Sequence, residues 1–368
     1  MTPGDRRTEM RSDTNQDEGL PRVGLSISID TEEDNWNPAV ENVTVRNIGE
    51  IPKIDSMFAA LGVKGTYFVT YQVAAAAESA PIIRDLHAGD RCEVGMHLHP
   101  WNTPPIFGIE PRISMLRDYP TEMQQQKLEM LLDVFRTSLG ISPTSFRAGR
   151  FGVGRATIEA LIRNGIHVDS SVTPLLSWES QGGPSFIGAP NLLYRLDGSD
   201  NVRSHHASGI VVEVPVTVGF TRFHPDSWTR IAALFDTPIA RRFHVAGFAY
   251  RTGIVQRVIL TPETYTAQEM LRVSRRFIEA GAPYLHMYLH SSSLLAGLTP
   301  FGKTQQDVDR IFDAIRGFVG GLREFALVEP CTVSEAAAKY SPPRIEQGGS
   351  NTIYPAFGTG IRPVDTTD

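Results

Sequence analysis

Cysteine is nearly absent: Cys92 and Cys331 are the whole supply in 368 residues. Two cysteines far apart build neither a disulfide framework nor a cysteine zinc cluster, and their scarcity fits a reducing compartment. Long apolar runs are missing too. No stretch reaches the roughly 18 apolar residues of a membrane span, and the first 20 residues have no signal-peptide core. The expectation is a cytoplasmic protein without a membrane span. Positive charge is in short supply, with 35 Lys and Arg against 41 Asp and Glu and a net charge of −6. No basic run is interleaved with aromatics, so nucleic acid is not an expected partner. Internal repeats and low-complexity core segments are also lacking.

What is present is an ordinary globular composition, 41% hydrophobic and 21% charged. The length suits one large α/β barrel or two ordinary domains. Apolar residues alternate between period 2 and helical spacing along the chain. Ile51, Ile54, Met57, Phe58 and Leu61 predict a helix stopped at Gly62. Residues 65–70 predict a strand, 74–88 a helix, and 91–96 a strand. Thr121 with Gln124, and Thr266 with Glu269, have capping-box spacing. Residues 210–218 read as one strand, with Pro215 suggesting an edge or a bulge. Residues 284–289 and 325–328 read as late strands, each followed by helical periodicity. Residues 1–20 and 341–368 have the composition of loosely held tails. Residues 21–340 read as one unit, with insertions near 174–208 and 220–260. Seven or eight strands alternating with helices imply a parallel barrel, whose chemistry belongs at the C-terminal strand ends.

Five strand ends carry polar groups worth naming. Val23, Leu25, Ile27 and Ile29 alternate into Asp30, Glu32, Glu33 and Asp34. Four carboxylates in five residues need a cation or an arginine beside them. Asp30 and Glu32 share a face, to hold one metal or to divide metal binding and proton transfer; a solvated acidic loop is the plain alternative. His97 and His99 also share a face, two imidazoles at a barrel mouth, which is a metal-ligand pattern. Arg147 and Arg150 sit in Phe146-Arg147-Ala148-Gly149-Arg150-Phe151-Gly152, suited to pairing with a carboxylate or a substrate anion, or to a surface turn. Asp169 interrupts a β-branched run, either to orient a histidine or to cap a turn. His290 ends its strand and suits general-acid work, whereas His286, deeper in the same strand, reads as a hydrogen-bonded core residue. His87, His167, His205, His206, His224 and His244 lack evident partners and read as structural.

In this order the motifs resemble the polysaccharide deacetylases, the NodB-homology group of carbohydrate esterase family four, over roughly residues 23–175 and 210–330. The resemblance implies a distorted (β/α)7 barrel and metal-dependent removal of an acyl group from an amino sugar. It makes Asp30 the catalytic base, Arg147 the residue that holds it, His290 the acid, and Asp169 the residue that orients the acid. The family's second acid directly follows the first, where this chain has Thr31, so Glu32 takes the ligand role. The family's paired histidines are separated by three residues; here one residue separates His97 from His99, with Gly95 and Pro100 still in place. The implied cofactor is one divalent ion, zinc by preference, on Glu32, His97 and His99. The implied substrate is an acylated amino sugar or glycan, walled by Trp101, the loop 102–109 and Arg150. Two other functions fit the same fold: hydrolysis of a small non-sugar amide or cyclic imide, and carbohydrate binding by a silent barrel.

Overall fold

The structure, a computed structural model, describes residues 19–89, 91–110, 113–199, 201–237 and 256–345. Nearly all of both expected tails and the middle of the second insertion lie outside the described residues. The strands are β1 (Arg22–Thr31), β2 (Gly65–Val69), β3 (Glu93–Leu98), β4 (Ser145–Ala148), β5 (Val168–Asp169), β6 (Tyr194–Leu196), β7 (Val211–Glu213), β8 (Val218–Phe220), β9 (Arg257–Ile259), β10 (Tyr284–His290) and β11 (Leu327–Pro330). The described helices are α1 (Ile51–Leu61), α2 (Tyr71–Ala75), α3 (Ala80–Ala88), α4 (Thr121–Val134), α5 (Arg155–Arg163), α6 (Trp228–Phe235), α7 (Ala267–Glu279), α8 (Gln305–Arg323) and α9 (Val333–Tyr340).

β10, β1, β2, β3, β4, β5 and β7 lie side by side in that order, every neighbouring pair parallel. β6 adds antiparallel to β7, and β11 runs beside the start of β1. This is the parallel α/β barrel the strand pattern predicts, in the distorted seven-stranded form the family resemblance implies. The distortion sits between β7 and β10. No strand ladder joins them; Thr217 N donates to His286 O (3.1 Å), Leu260 N to Thr217 O (3.0 Å), and Tyr288 N to Leu260 O (3.0 Å). The strand expected over 210–218 is therefore broken. β7 ends at Glu213, Pro215 has no N–H to continue a ladder, and β8 instead pairs antiparallel with β9.

Along β1 the pleat separates two environments. Leu25, Ile27 and Ile29 are fully buried and share a core with Ile54, Phe58, Ile311 and Ile315 of α1 and α8. Each such side chain contributes about 1.5–3 kcal/mol on burial. Ser26, Ser28 and Asp30 face the lumen, which is polar: Ser28 meets His286 and Asp30 meets Arg147. Gly62 ends α1 in the left-handed conformation at φ 59°, as a helix stop requires. The Thr266 capping box forms, with Glu269 N donating to Thr266 Oγ1 and Thr266 N to Glu269 Oε2. The Thr121 box does not. There the N-cap is Pro120, and Gln124 spends its amide on Tyr119 O (2.8 Å) and Thr157 Oγ1 (2.7 Å). The helix expected over 74–88 divides into α2 and α3, with Ser79 Oγ donating to Val73 O across the break. No helix of the described residues is long and apolar enough to cross a membrane. Cys92 and Cys331 are both free.

Candidate metal centre and active site

The acidic run at the end of β1 is accommodated by giving each carboxylate a different partner. Asp30 Oδ1 accepts from Arg147 Nη1 at 2.6 Å. Glu32 Oε1 accepts from Ser292 Oγ at 3.0 Å, which leaves Oε2 facing His99 Nε2 at 3.3 Å and His97 Nε2 at 3.9 Å. Glu33 Oε1 takes His99 Nδ1 at 2.7 Å and Asn102 Nδ2 at 2.5 Å. Asp34 is held by Thr44, Arg46 and Asn47. The run is therefore a set of buried, individually paired acids rather than a solvated loop.

His97 and His99 leave β3 on one side, with ring centroids 4.7 Å apart. Both rings are tethered at Nδ1, His97 to the carbonyl of Arg147 (3.0 Å) and His99 to Glu33. Both Nε2 atoms therefore turn toward Glu32. Among the described residues these three form a buried group whose ligand atoms lie within 4.8 Å of one another. The donor set fits a divalent transition metal: two imidazole nitrogens and one carboxylate oxygen match the three-ligand sites of catalytic zinc. A hydrogen-bond acceptor behind each imidazole sets the tautomer such ligation needs. Gly149 is part of this packing. A β-carbon there would lie 2.5 Å from His99 Cδ2 and 2.8 Å from Leu98 O. The turn that brings it close has Arg150 and Phe151 both in the left-handed region, at φ 54° and 56°.

Asp30 and His290 are register partners on β1 and β10, so both point into the mouth of the lumen. His290 Nε2 lies 3.9 Å from Asp30 Oδ2, as does His97 Nε2. Burial works against charge on Asp30, but the Arg147 guanidinium outweighs it and brings the carboxyl down to about 2. Burial likewise disfavours a charged His290, yet the carboxylates of Glu263 and then Glu32 push it up to about 10. Burial drives His97 down to about 3, whereas Glu33 overrides burial at His99 and lifts it to about 10. His286 is fully buried, bonded to Ser28 Oγ at 2.8 Å, and driven down to about 3 by burial and Arg147. It is the core residue the sequence suggests.

Three expected placements change. Asp169, proposed to orient the acid, does not touch His290. It is fully buried on β5, bonded to Ser171 Oγ (2.5 Å) and to Glu213, its register partner on β7. The carboxylate behind His290 is Glu263, with Oε2 2.9 Å from Nδ1. Trp101 is buried and stacked on His99 at 4.3 Å, so it buttresses that imidazole instead of walling a cleft. The exposed aromatic at the mouth is Trp36, 39% exposed and edge-on to His290 at 5.3 Å. Arg150 donates to Ser114 Oγ (2.9 Å) and reaches Gln181 (3.5 Å), tying loops together rather than facing the metal group. The loop 102–110 is anchored by Lys127 Nζ, fully buried and bonded to Thr103 O and Pro105 O, both at 2.8 Å. The remaining described histidines stay outside the site. His206 faces Asp197 and His224 faces Asp226, while His244 lies outside the described residues. Glu263 follows β9 in a segment without periodicity, so no sequence pattern marks it. The three serines after His290 were a readable signal.

Together, fold and site define a parallel barrel with a buried Glu-His-His group able to hold a metal and with Asp30 and His290 beside it at the mouth. No protein-family model matches the chain, and no curated protein matches it by sequence. Solved structures do match. A candidate glycoside hydrolase/deacetylase from Parabacteroides distasonis superposes with a TM-score of 0.54 at 14% identity, over 87% of this chain and 71% of that one. A candidate polysaccharide deacetylase from Mycobacterium smegmatis gives 0.48 at 15%, over 91% and 96%. The fold is that of the polysaccharide deacetylases, the NodB-homology type.

Proposed function

We propose that the protein is a metal-dependent hydrolase that removes an N-acyl group, acetyl by preference, from an amino sugar or glycan. The observation that carries this reading is the juxtaposition at one barrel mouth. Glu32, His97 and His99 converge on one point, and Asp30 and His290 flank it with 3.9 Å between Oδ2 and Nε2. A divalent ion held by Glu32, His97 and His99, zinc by preference, supplies Lewis acidity that polarises the acyl carbonyl and makes water nucleophilic near neutral pH. Asp30 keeps one oxygen on Arg147 and turns the other into the site, so it remains ionised and takes the proton of the attacking water. His290, kept cationic by Glu263, donates its Nε2 proton to the departing amine. Arg147 acts only through Asp30. Its guanidinium is fully buried and also bonded to Ser170 O and Oγ.

Trp36 supports a sugar as substrate, since a half-exposed indole beside the acid gives a ring face something to stack on. The retained base and acid argue against a silent binding barrel. A cytoplasmic location remains the proposal, on the strength of the two unpaired cysteines. The test is metal analysis of the purified protein, followed by acetate release from N-acetylated amino-sugar oligomers in parallel with small amides and cyclic imides. Metal at about one ion per chain with turnover of the sugars supports the reading. Turnover confined to small amides or imides overturns the substrate class, and protein that binds no divalent metal overturns the mechanism.

A further inference from the structure

His290 is followed at once by Ser291, Ser292 and Ser293, a 3-10 turn whose three side chains are fully buried. A buried hydroxyl needs partners, since leaving one unmade is costly. Here the hydroxyls are distributed over two glutamates, Glu32 and Glu263. Ser291 Oγ accepts from Glu32 N at 3.0 Å and so fixes the backbone that carries the ligand. Ser292 Oγ donates to Glu32 Oε1 at 3.0 Å and leaves Oε2 as the oxygen turned toward His97 and His99. Ser293 Oγ donates to Glu263 Oε1, while Glu263 Oε2 takes His290 Nδ1. An ionised carboxylate only accepts, so the Ser293 proton is committed to Glu263. Thr299 Oγ1, 3.0 Å from Ser293 Oγ, must then be the donor of that pair. Thr299 in turn accepts from Phe301 N and Gly302 N.

We propose that the Ser291–Ser293 turn is the positioning element of the site: Ser292 orients Glu32 as a metal ligand, and Ser293, through Glu263, orients His290 as the acid. The inference rests on the metal-dependent reading above. It adds a division of labour between neighbouring serines. Because the turn continues directly from β10, one rigid segment sets both the ligand carboxylate and the acid. Partners behind metal ligands are typically worth 10–100-fold in affinity or activity, and the two serines spend that on different steps.

The experiment uses the full chain. Zinc affinity is measured by competition with a chromophoric chelator for wild type, Ser292→Ala and Ser293→Ala, with thermal melting of each. Steady-state kinetics on an acetylated amino-sugar oligomer follow. Ser292→Ala is expected to weaken zinc binding about 10–100-fold. Ser293→Ala is expected to bind zinc like wild type and to lose about tenfold in kcat with KM unmoved. Ser292→Ala with wild-type zinc affinity overturns the inference. So does a pair of variants that lose zinc, kcat and melting temperature in step, because that is the mark of a merely structural turn. The zinc arm needs no substrate. A wild type that binds zinc but cleaves no acetylated sugar therefore refutes the proposed substrate while Ser292 is still decided, and a wild type that binds no zinc refutes both.

Discussion

Glu263→Gln separates the observed partner of His290 from the one the family pattern implies. Glu263 makes four contacts around the acid: Oε2 to His290 Nδ1 at 2.9 Å, Oε1 to the same nitrogen at 3.2 Å, Oε1 to the backbone N of His290 at 3.3 Å, and Oε1 to Ser293 Oγ. Its side chain is 2% exposed. Alanine would strand the latter two donors in a dry site at roughly 1–3 kcal/mol each, and loss of fold would confuse the result. Glutamine keeps the volume and one acceptor oxygen but removes the charge that favours the imidazolium. The whole contribution of a positioned general acid is about 10²–10⁴ in rate, which sets the ceiling. Loss of an orienting partner is typically 10–100-fold, so kcat should fall by about that much, or 1.4–2.7 kcal/mol of barrier. KM and bound metal should stay near wild type. Asp169→Asn should cost kcat far less, because Asp169 faces Ser171 and Glu213 instead of the acid. The assay is steady-state acetate release with metal content measured on the same preparations. An Asp169→Asn defect equal to or larger than that of Glu263→Gln, or full kcat in Glu263→Gln, would refute the reasoning.

Asp30→Asn should retain metal while activity drops roughly 10²–10⁴-fold, and His97→Ala should lose metal and activity together; elemental analysis beside kinetics checks both. Gly149→Ala should weaken metal binding, since its β-carbon would press on His99 Cδ2 from 2.5 Å and on Leu98 O from 2.8 Å; chelator competition reads this, and unchanged affinity would contradict the packing argument. Glu213→Gln should flatten the pH dependence of stability. Burial and then the charge of Asp169 raise the Glu213 carboxyl, so the folded chain holds more protons than the unfolded one above the ordinary carboxylate range near pH 4. Wild-type stability must therefore fall as pH climbs from there, and denaturant titrations of both proteins across that range would show the wild-type slope and its loss in the variant.

The regular half of the barrel was legible because its strands and helices keep their periods: β1, α1, β2, β10, α8 and α9 lie where the pattern puts them. The region from 174 to 260 was not, for a physical reason. There the ring closes through isolated backbone hydrogen bonds around Thr217 and Leu260, and the alternation over 210–218 reads as one strand although the ladder stops at Glu213. That same irregular closure carries Glu263. It explains why the acid's partner was assigned to Asp169, which sits on a recognisable strand but pairs in register with Phe146 and Glu213, away from β10. Trp101 misled differently. An aromatic after a histidine pair can face substrate or back the ligand, and only its burial against His99 decides between them.

The two departures from the family's motifs are one departure. Successive residues on a strand point to opposite faces, and only every second one returns to the lumen. Thr31 follows Asp30 directly, so a carboxylate at that position would leave the lumen face. Glu32 returns to it and presents Oε2 to the cluster. His97 and His99 obey the same rule two strands away. Both Nε2 atoms reach the lumen because one residue, not three, separates them at the end of an extended segment. The spacing also explains why the acidic run has two adjacent glutamates. Glu32 stands at Nε2 of His99 (3.3 Å) and Glu33, on the opposite side of the ring, at Nδ1 (2.7 Å). Glu33 accepts the Nδ1–H, so that Nε2, once deprotonated, would turn its lone pair to the point Glu32 also faces, which is the arrangement of a ligand backed by a carboxylate. An acid-x-acid first motif paired with a His-x-His second motif is thus a self-consistent way to build a two-histidine, one-carboxylate site on strand ends alone.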